Sequence, residues 1–155
     1  MRFLLLDRIT SLSPPESAVG VKCVALSEPW TLDHFPGHPV FPGALVLEGM
    51  AQLAGVLLEA TLRQRGAVDL HAVLLAADKV RFRAAVHPGD RLEHHARVQH
   101  AAQDGGRLEA HTLRDGSLVA EAVLTYALLP VSNPVVLAKR REVLNLWLHG
   151  STEPA

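Results

Sequence analysis

Leu32-Asp33-His34-Phe35-Pro36-Gly37-His38-Pro39-Val40-Phe41-Pro42-Gly43, running into Ala44-Leu45-Val46-Leu47-Glu48-Gly49-Met50-Ala51-Gln52, is the stretch on which the reading of this chain turns. Three prolines and two glycines fall within the eight residues 36–43. Each proline fixes φ and lacks an N–H, and each glycine relaxes φ, so neither helix nor continuous strand survives there. The segment is a stiff, kinked loop carrying His34 and His38. It opens onto a helix expected from about Ala44 to Arg65, ended by Gly66. Apolar residues cover nearly its whole circumference, so it must be surrounded by the rest of the fold rather than laid on its surface.

Strand signals lie on either side of this helix. Val19–Leu26 is expected as a strand, preceded by turn residues Ser13-Pro14-Pro15. After the helix come His71–Ala77, Lys79–Arg83, Leu92–His100, Arg107–Leu113 and Leu118–Leu129. Asp104-Gly105-Gly106 and Asp115-Gly116 are the tight turns between the last three, which predicts an antiparallel meander. One long central helix wrapped by a curved antiparallel sheet is an α+β architecture. Asn133-Pro134 then predicts a further helix start, with Asn as N-cap and Pro in first position. Val136, Leu137, Val143, Leu144, Trp147 and Leu148 form its apolar stripe, to pack on the body or on a partner subunit. The tail after Gly150 is expected to fray.

With 155 residues and no internal repeat or linker, the chain suits one domain with a substantial core. Fifteen Lys and Arg against sixteen Asp and Glu leave no global field to recruit nucleic acid or an anionic membrane. The single cysteine, Cys23, precludes an internal disulfide and fits a reducing cytoplasm. Its place in a strand-like alternation predicts a buried, inert thiol. The N-terminal apolar run of four residues, Phe3–Leu6, is too short for a signal peptide. Ala44–Leu62 is apolar enough to raise a membrane span, but Glu48, Gln52 and Glu59 favour a buried soluble helix.

Three groups suit chemistry. His34 has a side chain that exchanges protons near neutrality, on a loop whose prolines restrict it, as a positioned base requires. The plainer alternative is a loop histidine satisfied by a backbone carbonyl. Glu48 falls in the second turn of an apolar helix, where an ionised carboxylate must be paired or have its pKa raised; it is a candidate general acid or a structural carboxylate. Gln52, one turn on, could orient it. Gly43 starts the helix, so first-turn amides at the positive dipole end could polarise a substrate carbonyl. His34 and His38 cannot share a helix face across Pro36-Gly37, which argues against zinc. His94 and His95 are neighbours in a strand and point to opposite faces. The remaining histidines are read as surface or edge residues. No Walker loop, dinucleotide fingerprint or nucleophile elbow is present.

His34–Gly43 followed by Leu47–Gln52 resembles the bacterial 3-hydroxyacyl-acyl-carrier-protein dehydratases of the hotdog fold. The resemblance extends through Asp78–Arg83, Val86–Leu92 and Asp115–Ala122, spanning roughly Phe3 to Leu129. It implies a hotdog fold with an extra C-terminal helix: residues 1–130 as the dehydratase domain and 131–155 as an extension. It implies a hydro-lyase of fatty acid or related polyketide-type synthesis that forms the trans-2-enoyl thioester. His34 would be the base, Glu48 its acid partner from the opposite subunit, and the Gly43 amide the polarising donor. Val40, inside the matched loop, and Gln52 complete the expected substrate-binding set. Glu at position 48 looks like the branch that dehydrates without isomerising. No metal or organic cofactor is expected, and the acyl chain would arrive on the phosphopantetheine of acyl carrier protein. The resemblance implies a homodimer as the minimal active unit, which a trimer of dimers would contain. Asp33 departs from the glycine common there; it would raise the pKa of His34 if close, or cap the loop. Lys139-Arg140-Arg141, with Arg63, Arg65, Arg81 and Arg83, offers an acidic carrier a contact, a solvated helix face being the simpler reading. The alternatives are a hotdog acyl thioesterase and a non-catalytic acyl-carrier-binding hotdog subunit.

Overall fold

The computed structural model describes residues 3–67 and 69–149. Six strands form one antiparallel sheet in the order β1-β2-β4-β5-β6-β3. They are β1 (Arg8–Ser13), β2 (Ser17–Cys23), β3 (Leu70–Phe82), β4 (Arg91–Ala102), β5 (Gly105–Arg114) and β6 (Ser117–Pro130). The sheet wraps α1 (Gly43–Gln64), and a second helix, α2 (Pro134–Leu148), follows β6. This is the hotdog arrangement that the sequence predicts. The expected fraying after Gly150 lies outside the described residues.

α1 is long and apolar enough to cross a membrane, but 72% of its most apolar window is buried inside the fold. Met50, Leu53, Leu57 and Leu58 are fully enclosed, and their contacts with the sheet's inner face make the core. At about 25 cal/mol per Å² of apolar surface removed from water, this burial dominates the fold's stability. Gly66, at φ 87°, ends the helix as expected.

Several local readings are corrected. β1 is a strand beyond those expected: it carries little alternation and pairs with β2, the strand expected from Val19, in a hairpin whose turn holds Pro14-Pro15. β2 stops at Cys23 rather than Leu26, and Cys23 is exposed. The neighbouring Lys22 is the buried residue, paired with Asp7 at 3.6 Å and Glu28 at 3.0 Å. Its burial depends on partners from elsewhere in the chain, which alternation cannot register. The two segments read around 71–77 and 79–83 are one strand, β3, with irregularities between Leu74 and Ala76 and between Asp78 and Arg81. Such bulges shift the side-chain period, which explains the apparent break.

His94 and His95 do face opposite sides. His95 stacks on His111 with ring centroids 4.7 Å apart. His94 is buried, with Nδ1 2.8 Å from Thr112 Oγ1, and burial lowers its pKa to about 3. The ring lies against α1 where the helix carries Gly49; a Cβ there would sit 2.7 Å from His94 Nε2 and 3.0 Å from Leu5 O. Glycine at position 49 therefore permits the close approach of helix to sheet.

Candidate active site

The loop before α1 is ordered by its own backbone. A 3-10 turn, Pro29–Leu32, leads into it, and the His34 amide donates to Trp30 O at 3.0 Å. The Val40 amide donates to His34 O at 2.7 Å, and Phe41 N donates to Val86 O at 2.7 Å. The loop is thus pinned at its base and to the body, while His38 at its tip is exposed.

His34 Nδ1 lies 2.8 Å from Val40 O. A carbonyl only accepts, so Nδ1 carries the proton and Nε2 keeps a free lone pair. The simple alternative, a histidine satisfied by a carbonyl, and the functional one therefore coincide: that bond is what makes Nε2 available as a base. The ring stacks on Phe35, with centroids 4.3 Å apart. Val40 acts on His34 through its backbone, a role that side-chain reasoning missed. Asp33 is exposed at the end of the 3-10 turn, and its amide donates to Trp30 O. The bond that orients the imidazole comes from Val40, not from Asp33.

His34, Val40, Gly43 and Val46 border a cavity of about 350 Å³ closed by Phe82 and Arg83. Gly43 takes the first position of α1. A Cβ there would lie 3.0–3.1 Å from the Phe82 ring, so the absent side chain lets the ring approach the helix start. First-turn amides have no intrahelical acceptor and concentrate the positive end of the helix dipole beside this cavity.

Glu48 lines a different space. It lies five residues beyond Gly43, about 140° around the helix, so it faces away from the first cavity. With Ala51, Gln52 and Gly55 it forms one face of α1 bordering a cavity of about 690 Å³. Gln52 Nε2 donates to Glu48 Oε1 at 2.9 Å, while Gln52 Oε1 accepts from Leu5 N at 2.9 Å. Gln52 therefore orients Glu48, as its spacing suggests. Tyr126, absent from the sequence reading, completes the wall; its hydroxyl donates to Ala51 O at 2.8 Å. Burial, and after it the Glu48 carboxylate, push the phenol's pKa up, so it stays a neutral donor. A lone tyrosine in a strand carries no signal by which to find it. Within one chain, His34 and Glu48 thus line separate cavities. Among the described residues there is no group of three or more metal-ligating side chains.

Residues 1–123 match the family model described as the FabA-like domain. The chain is 42% identical over 125 residues to the 3-hydroxyacyl-[acyl-carrier-protein] dehydratase FabZ of Nitratiruptor sp., covering 79% of this chain and 84% of that protein. It belongs to the FabA/FabZ dehydratase family. The FabZ of Campylobacter curvus is 40% identical over the same share of each chain. Membership makes this protein a lyase of acyl-thioester chemistry. Among solved structures, the dehydratase heterocomplex ApeI:P from Xenorhabdus doucetiae superposes with a TM-score of 0.69 at 19% identity, over 90% of each chain. Thioesterase HI1161 from Haemophilus influenzae gives 0.60 at 11%, over 81% of this chain and 80% of that one. At those identities the likeness is one of fold alone, and it gives the thioesterase reading no weight.

Proposed function

We propose that this FabA/FabZ-family protein dehydrates 3-hydroxyacyl thioesters on acyl carrier protein in the cytoplasm, with each active site shared between two subunits of a homodimer. The observation that carries the residue roles is the His34 Nδ1 bond to Val40 O, which leaves Nε2 basic beside the amides of the α1 N-terminus. The thioester carbonyl accepts from the Gly43 N–H, which stabilises negative charge developing on that oxygen as the C2–H bond breaks. His34 Nε2 takes the C2 proton. The C3–O bond then breaks, the hydroxyl departs as water with a proton from Glu48, and the C2–C3 double bond forms. His34 has gained one proton and Glu48 has lost one, and exchange with water resets the pair. Gln52 holds Glu48 for that step.

The separation of the two cavities within a chain supports a shared site. β3 is an edge strand whose Val73, Leu74 and Leu75 are exposed, an apolar edge suited to pairing with a second copy. Leu74 also borders the Glu48 cavity, so a partner seated on β3 comes up against Glu48. Residues 131–155 are an extension on a domain that ends near residue 130.

Purified protein with 3-hydroxybutyryl carrier protein tests this reading by enoyl product formation. His34→Ala and Glu48→Gln should each lose about two to four orders of magnitude in kcat, the range for a positioned acid or base. Mixing and reassembling the two inactive variants should restore about a quarter of the wild-type rate, since one shared site in four is then intact. Turnover indifferent to His34 overturns the mechanism, and failure to complement overturns the shared site.

A further inference from the structure

The family match ends at residue 123, yet the cavity holding Glu48 is closed by residues beyond it. α2 supplies Val135, Val136, Val143 and Trp147 to its wall, across from Ala51, Gly55 and Tyr126. We propose that α2 is the end-wall of the acyl-chain site, so that this extension, with Gly55 opposite, sets the longest chain the enzyme accepts. The inference rests on the dehydratase roles above, because those place C3 of the substrate at Glu48.

From Glu48, the face formed by Ala51 and Gly55 runs one turn at a time towards α2. The lining along it is mostly apolar: alanine, glycine, the ring of Tyr126 and the valines of α2, with Lys139 and Arg140 as the charged residues of the α2 wall. An alkyl tail leaving C3 finds surface there that gains by excluding water. The volume of about 690 Å³ falls within the range of roughly 300–1,000 Å³ usual for small-ligand sites.

The wall is held, not merely adjacent. Trp147 is 2% exposed, and its Nε1–H donates to Leu6 O at 2.8 Å. Arg140 Nη2 donates to Glu59 Oε1 at 3.0 Å, tying α2 to a buried carboxylate of α1. The same oxygen accepts from Ala72 N at 3.0 Å on β3. A wall fixed to β1's approach, and to a carboxylate that α1 shares with β3, can refuse a longer chain. Gly55 leaves the room opposite: a Cβ there would meet Ala72 Cβ and Tyr126 Cε1 at 3.7 Å, ordinary contact, with the rest of a larger side chain directed into the cavity.

The test uses the full chain with 5-fluorotryptophan, whose two 19F resonances are assigned by Trp30→Phe. Decanoyl and acetyl thioesters of N-acetylcysteamine are titrated in, and kcat/KM is measured on four- and ten-carbon 3-hydroxyacyl thioesters. The Trp147 resonance should shift saturably with the decanoyl compound and not with the acetyl one. Gly55→Leu should lower the ten-carbon to four-carbon ratio of kcat/KM by about tenfold or more, as lost methylene space does in apolar pockets. Gly55→Ala should fold normally with a smaller change. Should Gly55→Leu not fold, Val136→Phe, at a position 47% exposed, narrows the same cavity from the other side. An unmoved Trp147 resonance, or a ratio unchanged in a folded narrowing variant, overturns the proposal. A Trp147 shift in a protein that turns over neither substrate supports the end-wall and overturns the dehydratase roles instead.

Discussion

His94 ties a single residue to the pH dependence of the whole fold. Its imidazole titrates near 6.5 when unfolded and near 3 when buried against Thr112. Between those values the unfolded chain binds more protons, so this contribution to stability is complete above about pH 6.5 and is lost as pH falls towards 3. Each pH unit between the two values is worth about 1.4 kcal/mol, so the loss is on the order of a few kcal/mol. Chemical denaturation across that range should show a steep acid limb in the wild type and a flatter one in His94→Gln, which keeps a polar partner for Thr112. Gly49→Ala presses a methyl group into the same ring. It should cost about 1–3 kcal/mol in urea unfolding, the usual penalty of overpacking. Asp33 faces solvent, and the imidazole of His34 is fixed by Val40. Asp33→Gly should therefore leave the dehydration rate at the wild-type level in the carrier-protein assay.

α2 shows which kinds of element a sequence announces. Its start was legible because capping is local: the Asn133 side chain accepts from Val135 N at 2.9 Å and Val136 N at 3.4 Å, with Pro134 in first position. Asn133→Ala should lower thermal stability by about 1 kcal/mol. Its apolar stripe does pack on the body, through Val143, Leu144, Trp147 and Leu148, but its polar anchors were not legible, because they are Leu6, 141 residues from Trp147, and Glu59 within α1. Arg140→Met should destabilise by about 1–3 kcal/mol, since it leaves the buried Glu59 with fewer donors. The same division runs through the site. The loop, the helix start, Glu48 and Gln52 were readable from proline, glycine and helical spacing. Tyr126 was not, nor was the carbonyl of Val40, because strand register and backbone acceptors write nothing into side-chain identity. The buried Lys22 inverted the parity of β2 for the same reason.

For the molecule as a whole, the sheet is closed at neither end, and its β3 edge is the apolar one. Leu75 is 66% exposed there. Leu75→Lys should yield monomers by light scattering and, because each site as proposed needs two chains, remove most of the activity while the fold persists by circular dichroism. Cys23 bears on the same question from the opposite side of the sheet. It is the sole thiol, exposed at the end of β2, and the catalytic roles proposed here make no use of it. A spin label attached there makes the assembly measure itself without any mutation. A two-fold dimer returns one interlabel distance, a trimer of dimers returns several, and a monomer returns none.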